Sequence, residues 1–136
     1  AFMRTLIVGK PGKHHIAMDE AAREALAEVE TVLRPGKTAG EVFDAHARVM
    51  DRRGMAKHRL NACGYSLGAK FTPSWMDFPM FYRGNEVVIA EGMVFFAHMI
   101  LMNSASEAAY CLGRTYIIGT RKPEPVSKYP LTMIAR

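Results

Sequence analysis

Cysteine is scarce in this chain of 136 residues. Cys63 and Cys111 are the only two, they lie far apart, and they fit neither a Cys-x-x-Cys motif nor a dense disulfide framework. The sequence therefore favours a reducing compartment, and we expect a cytoplasmic location. We also expect no secretion signal, because no basic segment followed by an apolar stretch and a small-residue cleavage site stands at the N-terminus.

Long apolar runs are lacking as well. A membrane-spanning helix needs roughly 18 or more consecutive apolar residues. The longest apolar stretch, residues 93–102, is interrupted by His98. We expect no membrane association.

The charge is not concentrated in any one part of the chain. The formal net charge is +5, but Lys and Arg are dispersed, and the densest basic clusters, at 52–59 and 121–122, are short. An RNP-like aromatic strand, a zinc-finger spacing and a long basic helix are all missing from the sequence, so we expect no nucleic-acid partner.

The composition that remains is that of one globular domain. Hydrophobic residues make up 49% and charged residues 23% of the chain, which is enough to bury a core without disulfides. Periodicity predicts a strand at 2–8 and an amphipathic helix at 14–33 that stops at the following Pro-Gly. A capping box of Thr38 and Glu41 predicts the start of a second helix, and Gly54 predicts its end.

The second half of the chain is richer in strand signals. It is predicted to contain a strand at 55–60, a glycine-flanked turn at 64–68, and strands at 92–102 and 108–118 joined by a hairpin connection at 103–107. Residues 72–90 are predicted to form a long aromatic loop with a functional or oligomeric role.

Four short segments, in this order and spacing, carry a resemblance. They are residues 5–11 (TLIVGKP), 33–38 (LRPGKT), 64–68 (GYSLG) and 91–95 (EGMVF). The chain resembles the M24 family, the pita-bread fold of methionine aminopeptidases, Xaa-Pro peptidases and creatinase, with ectoine hydrolase and a dimethylsulfoniopropionate lyase as non-peptidase relatives. The resemblance implies an α+β fold in which a curved antiparallel sheet packs against two long helices. Because it matches only the later part of a complete catalytic domain, we expect residues 1–136 to be a single M24-like fragment that lacks an N-terminal portion.

The resemblance also implies where metal ligands would lie. Family peptidases hold two metal ions with two aspartates, one histidine and two glutamates; the first aspartate would lie upstream, and Ala1 stands at the second, in D-x-x-R-T. Tyr65 replaces the histidine of G-H-x-x-G, and His98 replaces the glutamate of G-M-x-F-x-x-E-P. The final E-D-T stretch reads GRT, so we expect Arg114 to stand where the family has a glutamate ligand, and F-H-E reads FTP at residues 71–73.

An arginine cannot ligate a cation and its permanent charge repels one. We therefore expect no dinuclear metal centre and no cofactor. The expected catalytic residues are His98, as general base, and Tyr65, and the expected substrate-binding residues are Arg114, Lys70 and Asp77. Such a set suits a small anionic or carboxylate-bearing ligand.

Each of these residues also has a plainer interpretation. A lone histidine in an apolar strand is commonly a buried structural residue, a tyrosine between glycines can serve packing, and Arg114 and Lys70 can face solvent or pair with Asp77 or Glu107. We expect Cys63 to be a small buried residue rather than a nucleophile. Residues 75–82 carry six aromatic or methionine side chains, which we expect to form a contact in a homo-oligomer.

Three functions stay open at this point. The first is an M24-like hydrolase or lyase acting on a small carboxylated or nitrogenous compound, with the chain alone inactive and the longer protein needed for activity. The second is a non-catalytic pseudo-enzyme that binds a small anion. The third is an oligomerisation module.

Overall fold

A sheet of six strands packs against two helices in the computed structural model, which describes residues 1–68, 70–71 and 73–136. The elements are β1 (Phe2–Met3), β2 (Leu6–Ile7), α1 (Lys13–Val32), α2 (Ala39–Arg52), β3 (Ala62–Ser66), β4 (Asp77–Tyr82), β5 (Val94–Asn103), β6 (Ala108–Ile118), β7 (Pro123–Pro125) and β8 (Ile134–Ala135). The main sheet runs β1-β6-β5-β3-β4 with every pairing antiparallel, and β7 pairs with β6. The expected α+β class is confirmed. Neither helix among the described residues has the length and apolar character needed to cross a membrane.

Both helices form for the reasons that the sequence indicated. The inner stripe of α1 is fully buried, and α2 begins with the capping box: the Glu41 amide donates to the Thr38 hydroxyl (3.2 Å), and the Thr38 amide donates to the Glu41 carboxylate (2.8 Å). After α2, Gly54 takes a φ of +73°, which a residue with a side chain rarely adopts.

The β5–β6 hairpin divides the sheet into two chemically different faces. Alternate residues of a strand point to opposite sides, and residues paired across strands point to the same side. Phe95, Ala97 and Leu112 belong to the core cluster that packs against the helices, so we call their side the helix face. The opposite side we call the front face; its central residues are Tyr65, Phe96, His98, Gly113 and Thr115.

Four sequence predictions need correction. The strand predicted at 2–8 is two short strands, because Thr5 turns its hydroxyl to the Cys111 amide and carbonyl while β2 leaves to pair in parallel with β8. Residues 55–60 form turns, and their backbone is joined to the sheet by a bridge from Arg59 to Leu101. The turn predicted at 64–68 is largely the interior strand β3, and the loop predicted at 72–90 contains β4; Thr72 itself lies outside the described residues.

The end of the chain is fixed to α1 by one carboxylate. Asp19 is 8% exposed, and its Oδ1 accepts hydrogen bonds from the Tyr110 hydroxyl (2.6 Å) and the Met133 amide (3.2 Å). Its Oδ2 accepts from Arg23 Nε at 2.9 Å. Burial and this carboxylate raise the pKa of Tyr110, which therefore stays a neutral donor.

Candidate functional site

The front face collects the positions at which the M24 resemblance implies metal ligands. Tyr65 on β3 pairs with Phe96, and His98 pairs with Gly113 on β6. Ala1 lies at the edge of the same group, where its carbonyl accepts a hydrogen bond from Thr115 Oγ1 at 2.6 Å. Three strands thus bring one small area together from distant parts of the sequence.

Tyr65 and His98, the two expected catalytic residues, are neighbours on this face. Their ring centroids are 5.6 Å apart, and both side chains are buried. The Tyr65 oxygen accepts a hydrogen bond from Trp75 Nε1 at 3.0 Å, so Trp75 reaches over the site from the segment between β3 and β4. This bond occupies an acceptor site of the phenol and leaves its proton available to a ligand.

His98 is held as a neutral imidazole. Burial lowers its pKa to about 4, because desolvation penalises the charged form. Its Nδ1 is buried and has no hydrogen-bond partner among the described residues. A buried polar atom without a partner is costly, and His46 Nδ1 and Arg114 Nε share this property. His98 differs from them in lying on the front face beside Tyr65, where a ligand donor could satisfy its Nδ1.

The ring of Phe96 lies over Gly113. A Cβ added at Gly113 would stand 2.5 Å from Phe96 Cζ, so only glycine fits at position 113 while the ring keeps its place. The same ring is 5.6 Å from Tyr65 and 5.7 Å from His98, centroid to centroid. An aromatic side chain therefore occupies the space that a longer residue at position 113 would enter.

Arg114 does not join this group. It pairs with Ala97, and its side chain points to the helix face, where Nη1 lies 3.5 Å from Glu30 Oε1 and Nη2 donates to the Tyr129 carbonyl at 3.3 Å. The expectation that Arg114 would converge with Tyr65 and His98 is therefore not met. The physical reason is the alternation of strand residues: in the E-D-T alignment the glutamate falls on Gly113, one residue earlier and on the other face.

The remaining two expected residues lie at the margin. Lys70 is exposed to solvent. Asp77 is half-buried at the start of β4; its Oδ1 accepts from the Phe78 amide at 2.8 Å, and its Oδ2 lies close to the backbone of Gly68. Asp77 thus packs against the second glycine of the predicted turn, and no contact in the described part of the chain joins either residue to His98.

The other buried reactive groups are structural. His46 is 1% exposed on the inner stripe of α2, and burial lowers its pKa to about 4, with a smaller effect from the positive charge of Arg59. Cys63 is fully buried on β3, and burial raises the pKa of its thiol, so the expectation of a small buried residue is confirmed. Throughout residues 1–68, 70–71 and 73–136, no three His, Cys, Asp or Glu side chains lie close enough to hold a metal ion.

Sequence reasoning missed Phe96, Gly113 and the hydrogen bond of Trp75. The signal for the first two was present, since counting back along both strands from the connection at 103–107 brings His98 opposite Gly113. The bond from Trp75 to Tyr65 spans a segment without regular structure, for which the sequence carries no comparable signal.

Comparison with known proteins decides the family. The model of metallopeptidase family M24 matches residues 1–121. This chain belongs to the M24 family. Its similarity to individual M24 relatives is distant: it is 27% identical over 93 residues to an ectoine hydrolase of Halomonas elongata, covering 68% of this chain and 23% of the relative. It is 26% identical over 92 residues to an Xaa-Pro dipeptidase of Lactobacillus helveticus, covering 68% of this chain and 24% of that protein.

Solved structures confirm the pita-bread fold of this M24 chain. An X-Pro aminopeptidase from Thermotoga maritima superposes with a TM-score of 0.90 at 12% identity, over 99% of this chain and 37% of the other. The N-terminal domain of the FACT complex subunit SPT16 from chickpea superposes at 0.82 and 20% identity, over 98% of this chain and 34% of the other. The M24 chain thus spans about a quarter to a third of the curated relatives it matches and about a third of these structures.

Proposed function

We propose that this chain is part of an M24-type hydrolase or lyase that acts on a small carboxylated or nitrogenous compound. The observation that carries the proposal is that the rings of Tyr65 and His98 lie side by side on the front face. They occupy two positions where the family resemblance implies metal ligands. The longer protein would supply the remainder of the site, and the chain alone would be inactive.

The donor set on the front face does not fit a pair of divalent cations. The four positions in question hold Ala1, Tyr65, His98 and Gly113, which together offer one neutral imidazole and one phenol. Two hard cations need several carboxylate oxygens. The ring of Phe96 over Gly113 also fills space that a ligating glutamate would need. The proposed site therefore works without a metal pair.

The chemistry then falls to the two side chains. The neutral, unpartnered His98 Nδ1 is the proposed proton acceptor, and the Tyr65 hydroxyl can donate to a developing oxyanion. Because Nδ1 is buried, the proposal requires substrate binding to bring a proton donor into contact with it. An imidazole with a pKa of about 4 is a weak base. A substrate carboxylate bound beside it would stabilise the imidazolium and raise that pKa toward the range that general bases use.

Arg114 lies on the helix face, so its guanidinium cannot bind a substrate anion at the front face. Lys70, which is exposed and follows Tyr65 by five residues in sequence, is a cation that a substrate carboxylate could recruit. In this proposal the substrate carboxylate stabilises the protonated form of His98 and is not bound by Arg114.

Two measurements test this proposal. Purified protein supplied with manganese, iron, cobalt and zinc would be analysed by inductively coupled plasma mass spectrometry, and two bound equivalents would contradict the metal-free site. A panel of small amides, amino acids and betaines would be screened for binding by ligand-detected NMR, and those that bind would be followed for turnover in the chain and in a longer form of the protein. Turnover that His98→Gln abolishes is the expected result for the longer form.

A specific observation favours a second function, the non-catalytic binding module. Phe96 packs beside both Tyr65 and His98 and over Gly113, so the chain's own side chains occupy part of the site. Binding without turnover in the longer protein would support this alternative.

We also propose that the protein forms a homo-oligomer and is located in the cytoplasm. Phe71, Trp75, Phe78 and Tyr82 are 77%, 65%, 64% and 42% exposed, an apolar stretch along the edge strand β4 and the segment before it. A second copy could cover it, and light scattering at increasing protein concentration would detect the dimer. Both cysteines are free, which supports a reducing compartment.

A further inference from the structure

The front face carries a second feature that the proposed chemistry does not use. A hollow of about 400 Å³ lies at the hairpin end of β5 and β6, and we call it the front hollow. Its lining includes Met3, Thr5, Ile100, Met102, Ala109 and Cys111. Its volume is within the range of pockets that bind small molecules.

The lining of the front hollow is apolar. None of its described lining residues is charged. The lining has two hydroxyl groups, those of Thr5 and Tyr110. The Thr5 hydroxyl donates to the Cys111 carbonyl (3.0 Å) and accepts from the Cys111 amide (2.8 Å), and the Tyr110 hydroxyl donates to Asp19. The hollow is therefore suited to an uncharged group, because a charged group would lose its hydration without finding a partner.

Strand register places the front hollow next to the Tyr65–His98 pair on the same face. Ile100 follows His98 by two residues on the same face, and Cys111 precedes Gly113 by two. Met3 pairs with Gly113 directly. Two residues along a strand span about 7 Å, so one small molecule can reach both places.

We propose that the front hollow is the apolar subsite of the small-molecule site. The ligand carries an uncharged alkyl group in the hollow and places its polar, reacting centre at His98. This inference rests on the proposed function and narrows its substrate class to compounds with an aliphatic side chain or tail. Each methylene buried there increases affinity about fourfold.

The hollow contains its own probe attachment point. Cys111 is partly exposed, whereas Cys63 is buried and its thiol pKa is raised by burial, so Cys111 is the thiol that reacts. The protein would be equilibrated with the symmetric disulfides of butanethiol, cysteamine and mercaptoacetate at a fixed excess of 2-mercaptoethanol. The Cys111 thiolate attacks one sulfur and the other sulfur leaves as a thiol, so intact mass gives the fraction of each mixed disulfide. We expect the butyl group to be retained at least tenfold more strongly than either charged group.

Two matched variants keep the experiment decisive. In Cys111→Ser with Ala56→Cys the thiol sits on an exposed turn, and the three probes should be retained within about twofold of one another. Ala109→Leu, at an exposed strand position in the lining, should remove most of the butyl preference at Cys111, whereas Ala56→Leu should leave it unchanged. Thermal melts would confirm that each variant is folded.

Equal retention of the three probes, or a preference for a charged one, would overturn the inference. A butyl preference that disappears as protein concentration rises would overturn it too, because a second copy would then be the occupant. The readout needs no turnover, so an inactive protein with a strong butyl preference would reject the proposed catalysis and keep the subsite. Turnover without any preference would do the reverse.

Discussion

On the front face the ring of Phe96 lies directly against the backbone of Gly113. A Cβ added at position 113 would be only 2.5 Å from Phe96 Cζ. Gly113→Ala should therefore force the ring or the strand to move. Overpacking of this kind costs about 1–3 kcal/mol of unfolding free energy. Urea denaturation would measure the loss.

A double mutant of Phe96 and Gly113 tests whether the ring causes that loss of stability. Phe96→Leu removes the far edge of the ring, so adding Gly113→Ala to that variant should cost at least about 1 kcal/mol less than adding it to the parent. Gly12→Ala is the matched control, because a Cβ there meets only His15 Nδ1 at 3.6 Å. Equal costs of Gly113→Ala in both backgrounds would show that the ring does not limit position 113.

Trp75 reports directly on Tyr65. Tyr65→Phe removes the acceptor of the Trp75 Nε1 hydrogen bond and should lower stability by about 1 kcal/mol. It should also raise acrylamide quenching of the tryptophan emission, which comes from a single residue because the chain has one tryptophan. The half-exposed Tyr82 supplies the control Tyr82→Phe, and a similar change in both variants would argue against the bond.

Acid should destabilise the fold through its buried histidines. Burial lowers the pKa of His98 and of His46 to about 4 in the folded chain, below the value near 6.5 in the unfolded chain. Between those values the unfolded chain binds more protons, so stability is full above pH 6.5 and falls as the pH drops toward 4. The slope is at most about 1.4 kcal/mol per pH unit for each histidine.

Variants separate that contribution from the carboxylates. His98→Gln should flatten the dependence of the urea midpoint on pH between 6.5 and 4, whereas His14→Gln, at an exposed position, should leave it unaltered. An unchanged slope in His98→Gln would mean that His98 protonates freely in the folded chain.

Asp19 should hold the C-terminal segment in place. Asp19→Asn weakens the acceptor of the Tyr110 and Met133 hydrogen bonds and breaks the ion pair with Arg23, so we expect a loss of about 1–3 kcal/mol. Hydrogen exchange at the Met133 amide should quicken more than the global stability change explains. Glu20→Gln, on the exposed neighbour, is the control and should leave that amide protected.

Local signals predicted the helices and the long hairpin well. The Thr38–Glu41 capping box and the connection at 103–107 depend on residues close in sequence, and the structure contains both. The two glycines of residues 64–68 predict a turn where the structure has the strand β3. In the fold, β4 and β5 pair with it from both sides, and Gly64 is required by close contact with the Phe96 carbonyl.

The site residues were predicted only in part, because some of their contacts join residues that are distant in sequence. Motif positions brought attention to Tyr65 and His98, which do lie together. Arg114 was assigned to the same place although strand geometry sends adjacent residues to opposite faces, and its partner Glu30 lies 84 positions earlier in the chain. Contacts of that range depend on how helix and sheet pack, which sequence spacing alone does not encode.

The opposite orientation of neighbouring residues along β6 lets the two sides of one strand change separately. Tyr116 and Leu112 hold the helices from behind, while Gly113 and Thr115 look the other way. Substitutions at Gly113 and Thr115 can change the reactivity of the front face without disturbing the packing of the sheet against the helices. The fold can therefore persist while the side chains on that face are replaced.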